Sequence, residues 1–207
     1  MPFRRTRRKP RARRANLSRR VNRLERNTRP EVKYKSTQTG GFATIGSNLG
    51  TLIQPQQLQQ GTSRDTRIGD KVKSRNVRFQ AILKMQDIPS NPTCAVRILV
   101  LRSKFTEPST SDMPEWYESV DEDKFFVVKD ILTQVSVMQG VTTAGGSSST
   151  GSTLKRIKFN IPTGLRKLQY DGSTNNSPLN NEYLIYMFAE NQDAQVAFNW
   201  QHYYIDN

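Results

Sequence analysis

Lys71-Val-Lys-Ser-Arg-Asn-Val-Arg-Phe-Gln-Ala-Ile-Leu-Lys-Met-Gln86 decides the fold class. In its second half Val77, Phe79, Ala81, Leu83 and Met85 fall on one side of an extended chain, with Arg78, Gln80 and Lys84 on the other. Side chains of a strand alternate between faces. A period of two with one apolar face therefore predicts a strand in a sheet packed on one side. The pattern recurs further along the chain. Cys94, Val96, Ile98 and Val100 share a face opposite Arg97, and Ile157, Phe159 and Ile161 share one opposite Arg156, Lys158 and Asn160.

Eight runs rich in β-branched and aromatic residues are separated by turn clusters: 42–53, 71–86, 93–104, 125–138, 153–161, 165–170, 182–190 and 195–206. With no long helical period among them, they predict an all-β domain, a two-sheet sandwich best matched by an eight-stranded single jelly roll. The connections 140–152 and 171–181 are polar and predict exposed, mobile loops. The connection 105–124 is acidic, with Glu107, Asp112, Glu115, Glu118, Asp121, Glu122 and Asp123 against Lys124. Its Trp116 and Tyr117 follow Pro114, which is placed to start a helix. An inter-subunit contact, a receptor patch and a capped helix packed on its own domain are all open for it.

Charge divides the chain differently. Residues 1–35 hold fifteen Lys/Arg and two acids, a balance of +13 in a chain of +14. Residues 36–207 therefore carry 17 basic and 16 acidic side chains, a balance of +1. The division predicts a nucleic-acid-binding arm over 1–35 and a sandwich domain over 36–207. Twelve of the thirteen basic residues up to Arg29 are arginine, whose guanidinium pairs with phosphate in a bidentate fork. The expected phosphate-binding residues are Arg4, Arg5, Arg7, Arg8, Lys9, Arg11, Arg13, Arg14, Arg19, Arg20, Arg23 and Arg26. Residues 1–15 are almost without apolar side chains and predict disorder in the absence of a polyanion. Leu17, Val21 and Leu24 then make one stripe of a short helix over about 16–27, which Pro30 ends. Residues 33–41 read as a linker.

Little points to catalysis, and a non-enzymatic protein without metal or cofactor is expected. His202 is the sole histidine, so a two-histidine metal site or histidine relay cannot form within one chain. Cys94 is the sole cysteine, on an inward strand face, which excludes an internal disulfide. No run approaches the ~18 apolar residues of a membrane span, and no membrane insertion is expected. The basic start lacks the apolar segment of a signal peptide, so a cytosolic or nuclear protein is expected.

Several short motifs occur in a telling order: the basic arm, the short helix, Arg67-Ile-Gly-Asp-Lys-Val72, Val128-Lys-Asp-Ile-Leu-Thr133, Leu154-Lys-Arg-Ile-Lys-Phe-Asn-Ile-Pro162, Leu168-Gln-Tyr-Asp-Gly172 and Tyr204-Ile-Asp-Asn207. In that order they resemble the single jelly-roll capsid proteins of the satellite tobacco necrosis virus type. Such proteins also occur in small circular single-stranded DNA viruses that encode a replication initiator. The resemblance covers roughly residues 13–207. It implies an icosahedral shell of about sixty copies of the chain, with arms directed at a packaged single-stranded RNA or DNA genome. In that family calcium sits between subunits. Asp206 matches one ligand position, but Ile68 and Lys71 stand where oxygen donors would be, so a Lys71–Asp206 contact is the expected substitute.

The expected function is thus a self-assembling viral coat protein, found in virions and, during assembly, in the host cytoplasm or nucleus. About sixty arms of about 13 charges present roughly 800 positive charges, enough for on the order of a thousand nucleotides. Two alternatives stay open: a cellular basic-tailed nucleic-acid-binding protein of ribosomal type, and a nuclear-imported β-sandwich interaction module. The run Arg4 to Arg14 suits a nuclear-import receptor in the second case, and in a virus that assembles in the nucleus. The helical stripe is too short to be stable alone and needs neighbouring arms to bury it. Replacing Leu17, Val21 and Leu24 with Ser keeps every charge, so nucleic-acid binding by the free protein should persist while particle yield in assembly assays falls. Unchanged yield would remove the stripe from assembly.

Overall fold

The computed structural model describes residues 31–46, 50–86, 89–104, 114–115, 117–138, 151–172 and 176–206. These form ten strands: β1 (Val32–Gln38), β2 (Ala43–Thr44), β3 (Thr51–Ile53), β4 (Lys71–Met85), β5 (Thr93–Ser103), β6 (Phe125–Met138), β7 (Gly151–Ser152), β8 (Lys155–Gln169), β9 (Tyr183–Ala189) and β10 (Ala194–Asp206). There is no helix among the described residues, and the domain is all-β. One sheet has the order β1-β10-β4-β8, with β2 also on β10. The other runs β3-β9-β5-β6-β7. Every strand pairing in both sheets is antiparallel.

Setting aside the two-residue β2 and β7, the pairings nest. The first long strand pairs with the last, β1 with β10; then β3 pairs with β9, β4 with β8, and β5 with β6. Cross-pairings of β10 with β4 and of β5 with β9 close each sheet. The alternating faces read from the sequence supply the interior. Val77, Phe79, Ala81, Leu83 and Met85 of β4 meet Cys94, Val96, Ile98 and Val100 of β5 in one buried cluster. Each fully buried aliphatic or aromatic side chain contributes roughly 1.5–3 kcal/mol. Phe79 stacks between Phe159 and Phe198, with ring centroids 4.9 and 6.2 Å away.

A second cluster lies on the other face of the β5-β9 pair. Leu99, Leu101, Leu184, Tyr186 and Phe188 pack there with Phe125, and Val120 of the acidic connection leans on them. This double coat explains why all seven residues of β9 are buried.

Three readings of the sequence are corrected. The segment 33–41 is no linker, since β1 occupies most of it. Its inward positions are Lys33 and Lys35, in register with Tyr204 and His202, so the period of two has no apolar face to reveal it. The run 42–53 is two short strands in different sheets. Just before β3, a Cβ on Gly50 would stand 2.7 Å from the Met187 carbonyl and 2.9 Å from the Tyr186 ring, so glycine alone fits that approach. The runs 153–161 and 165–170 are one strand, β8. A bulge joins them: the register with β4 shifts between Ser74 and Asn76, opposite Gly164 (φ 64°) and Leu165 (φ 56°).

The loops differ as well. Pro114 precedes a turn in which the Glu118 amide donates to the Glu115 carbonyl at 3.2 Å, and Tyr117 is exposed. Gly151 and Ser152 pair with Met138 and Val137 as β7. In the 171–181 connection Pro178 is buried and bridges to Tyr170, so the described part of that loop is anchored.

Leu165 holds a left-handed backbone that costs a branched L-residue about 1–2 kcal/mol, and its side chain is exposed. Leu165→Gly should therefore raise stability by about 1 kcal/mol in urea unfolding. A fall in the unfolding midpoint would show that the leucine makes a contact worth more than the strain.

Candidate nucleic-acid interface

The arm residues expected to bind phosphate, Arg4 to Arg26, lie outside the described residues, as do Leu17, Val21 and Leu24. The described domain holds a charge pattern that its near-zero total conceals. β4 carries five Lys/Arg and β8 five, with no acid in either. In the whole β1-β10-β4-β8 sheet the sole carboxylate is Asp206, near the end of β10. Because β4 lies between β8 and β10, outward residues line up in rows. Arg78 stands between Asn160 and Gln201, Gln80 between Lys158 and Asn199, and Lys73 between Lys167 and Ile205.

The face is shaped as well as charged. A shallow depression is lined by Arg78, Gln80, Lys158, Asn199 and Gln201, and a second by Arg75, Asn76, Arg78 and Tyr203. Arg78 borders both. Its guanidinium lies 4.9 Å from the centre of the Tyr203 ring. Tyr34 stands beside Tyr203, ring centroids 6.0 Å apart, and Arg64 lies 4.7 Å over the Tyr34 ring. Cations, amides and two tyrosines thus share one solvent-facing surface.

Acidic residues gather elsewhere. Arg97 of β5 holds Asp130 of β6 through two hydrogen bonds, 3.1 and 2.8 Å, and donates to the Glu118 carbonyl at 2.6 Å. This fixes the acidic connection against the β3-β9-β5-β6 sheet, where Glu115, Glu118, Asp121, Glu122 and Asp123 are exposed. On β6 itself Phe126, Val127, Val128 and Leu132 are all exposed, Leu132 to 67 %. Among the described residues β7 pairs with only Val137 and Met138 of that strand's outer edge.

Asp206 is paired, but not with Lys71. Its partner is the buried Lys33 of β1 at 2.7 Å, because β1 and not the start of β4 brings an inward lysine to the end of β10. Ile68 is 60 % exposed and Lys71 is exposed. No group of three or more His, Cys, Asp or Glu fit to hold a metal occurs among the described residues. Arg67 of the Arg-Ile-Gly-Asp segment is wholly buried. It binds the carbonyls of Leu58, Gly69 and Gly172 and the Asp70 carboxylate, stacks over Tyr170, and so clamps the loops at this end.

Inside that end a polar chain joins the sheets. The Gln56 side chain accepts from the Tyr183 amide at 2.7 Å and donates to Ser74 Oγ at 2.9 Å. Ser74 Oγ in turn meets His202 Nε2 at 2.9 Å. The lone histidine is fully buried and stacked on Tyr204, a structural position. Cys94 is buried in the core, and its thiol pKa is raised by burial. No family model matches the sequence, and no curated protein matches it.

Two buried groups fix how stability follows pH. Burial raises the Glu182 carboxyl from 4.5 to about 8, with Gln54 offsetting part of the shift. The folded state keeps a proton that the unfolded chain has lost, so this contribution is full below pH 4.5 and disappears as pH rises to about 8. Burial, helped by the Lys35 charge, lowers His202 from 6.5 to about 3, so its contribution is full above 6.5 and is lost toward 3. Glu182→Gln should flatten the decline in unfolding free energy between pH 4.5 and 8 while leaving the acid limb. A decline of unchanged slope in denaturant titrations would assign it to other groups.

Proposed function

We propose that this chain is a viral coat protein of single jelly-roll architecture, which assembles copies of itself into a small icosahedral shell around single-stranded nucleic acid. The observation that carries the reading is the nested pairing of first strand with last, β3 with β9, β4 with β8 and β5 with β6. A long antiparallel ribbon with those pairs, wrapped so that β10 meets β4 and β9 meets β5, is compatible with a jelly roll and supports that reading. Self-association is supported by the exposed Phe126, Val127, Val128 and Leu132 of β6, whose outer edge pairs among the described residues only with β7, a surface of the kind that proteins acting alone blunt or cover. The arm supplies phosphate binding without base reading, as packaging of a whole genome requires.

A second reading has one observation in its favour. A cellular nucleic-acid-binding protein of ribosomal type should have a basic, aromatic-bearing face on its folded domain, and the β1-β10-β4-β8 sheet has one. Such a protein has no need of the exposed apolar strand.

Electron microscopy and light scattering of the purified full chain separate the two. Uniform small spheres are expected, and dispersed monomers would overturn the coat-protein reading. A chain shortened to begin at Glu31 loses the arm but keeps β1 and the Lys33–Asp206 pair. It should unfold near the full chain's midpoint and lose most of its co-purifying nucleic acid. Normal nucleic-acid content after that truncation would take packaging away from the arm.

A further inference from the structure

We infer that the outer face of the β1-β10-β4-β8 sheet is a second binding surface for single-stranded nucleic acid, with Arg78, Arg156 and Lys158 on phosphates and Tyr203 as a stacking platform for a base. The inference rests on the reading of the protein as a nucleic-acid packager, but it concerns residues to which the arm reading gives no role.

Charge is the first support. β4 and β8 present basic and neutral side chains outward with no carboxylate among them. The exposed residues Arg78, Arg156 and Lys158 sit in adjacent rows of the paired strands. Alternate residues along a strand are about 6.6 Å apart, close to the spacing of successive phosphates in an extended strand. The sheet therefore presents positive charge with a phosphate-like repeat.

The second support is what lies between the cations. Gln80, Asn160, Asn199 and Gln201 interleave with them in register. An amide both donates and accepts, which suits the varied edges of unpaired bases. Tyr203 offers a ring already flanked by the Arg78 guanidinium, 4.9 Å from its centre. Basic grooves with aromatic platforms bind single strands without regard to sequence, each stacked base contributing roughly 1–3 kcal/mol.

A competing occupant is the acidic turn of a second copy, with Glu118, Asp121, Glu122 and Asp123 exposed. That partner explains the cations but makes no use of the amides or the ring. The single strand uses all three.

The test compares full-length variants for binding of a labelled single-stranded thymidine oligonucleotide at several salt concentrations. In one, the arm's twelve arginines from Arg4 to Arg29 and Lys9 become Gln. A second carries Arg78→Gln, Arg156→Gln and Lys158→Gln, and a third combines both sets. All three face residues are exposed, so the unfolding midpoint should not fall, and it is measured as the folding control. Single-strand affinity falls with salt by about 0.7 log units per log unit of salt for each phosphate neutralised. The face variant should thus lose about 2 from that slope. The arm variant should retain salt-dependent binding that the combined variant lacks, and Tyr203→Leu should weaken the oligonucleotide but not inorganic polyphosphate. An arm variant that binds no better than the combined one overturns the face and leaves the arm reading intact. A face variant with wild-type slope but impaired self-association in nucleic-acid-free buffer assigns the face to the acidic turn and overturns the inference. Spheres or monomers in the microscope judge the coat-protein reading separately.

Discussion

The fold hangs on β10. It lies between β1 and β4, pairs with both and with β2, and carries Val196, Trp200, His202 and Tyr204 inward. The partners in its register with β1, such as Val32 and Ile205, are separated by nearly the whole domain. Closing so long a loop costs entropy before any contact offsets it. The sheet is therefore cooperative: without β10, β1 has no neighbour, and β4 keeps only β8. The Lys33–Asp206 pair and the Gln56–Ser74–His202 chain stand where these distant segments meet.

That topology also sorts the side chains chemically. It places β4 beside β8, whose outward positions are basic or neutral, while the acidic connection is fastened by Arg97 to the other sheet. A domain with a total charge near zero thus presents two unlike surfaces. The apolar faces of β4, β5 and β8 do most to specify the fold. The opposite face is free to vary, and here it carries the pattern that points to function.

Much of this was legible in the sequence and some was not, for definite reasons. Strands with a clean apolar face, β4, β5 and most of β8, read correctly because burial on one side forces the period of two. β1 was lost because its inward residues are lysines whose ammonium groups find buried partners. The Lys35 Nζ, for example, donates to the Gln57 carbonyl at 2.7 Å. β8 read as two strands because Gly164 resembles a turn, whereas a bulge absorbs it. For the basic face, Arg78 and Lys158 read as outward on their own strands. Nothing in the one-dimensional pattern says that those strands are neighbours, and a charge summed over the whole domain cancels the face against the acidic turn. The density of arginine over residues 4–29 is plain from composition alone, and those residues lie outside the described ones.

The acid-free face has an energetic consequence for the protein by itself. Its cations repel one another across a sheet where adjacent strands are about 4.8 Å apart, well inside the Debye length of about 8 Å at physiological salt. The empty sandwich holds that repulsion as a standing cost of being folded, and a polyanion laid on the face removes it. Affinity and fold stability are then coupled quantities: whatever relieves the repulsion is drawn to the native state and in turn holds it native. Through this linkage a polyanion bound to the face would act as a folding cofactor for the domain, and the domain without one would be the less durable species.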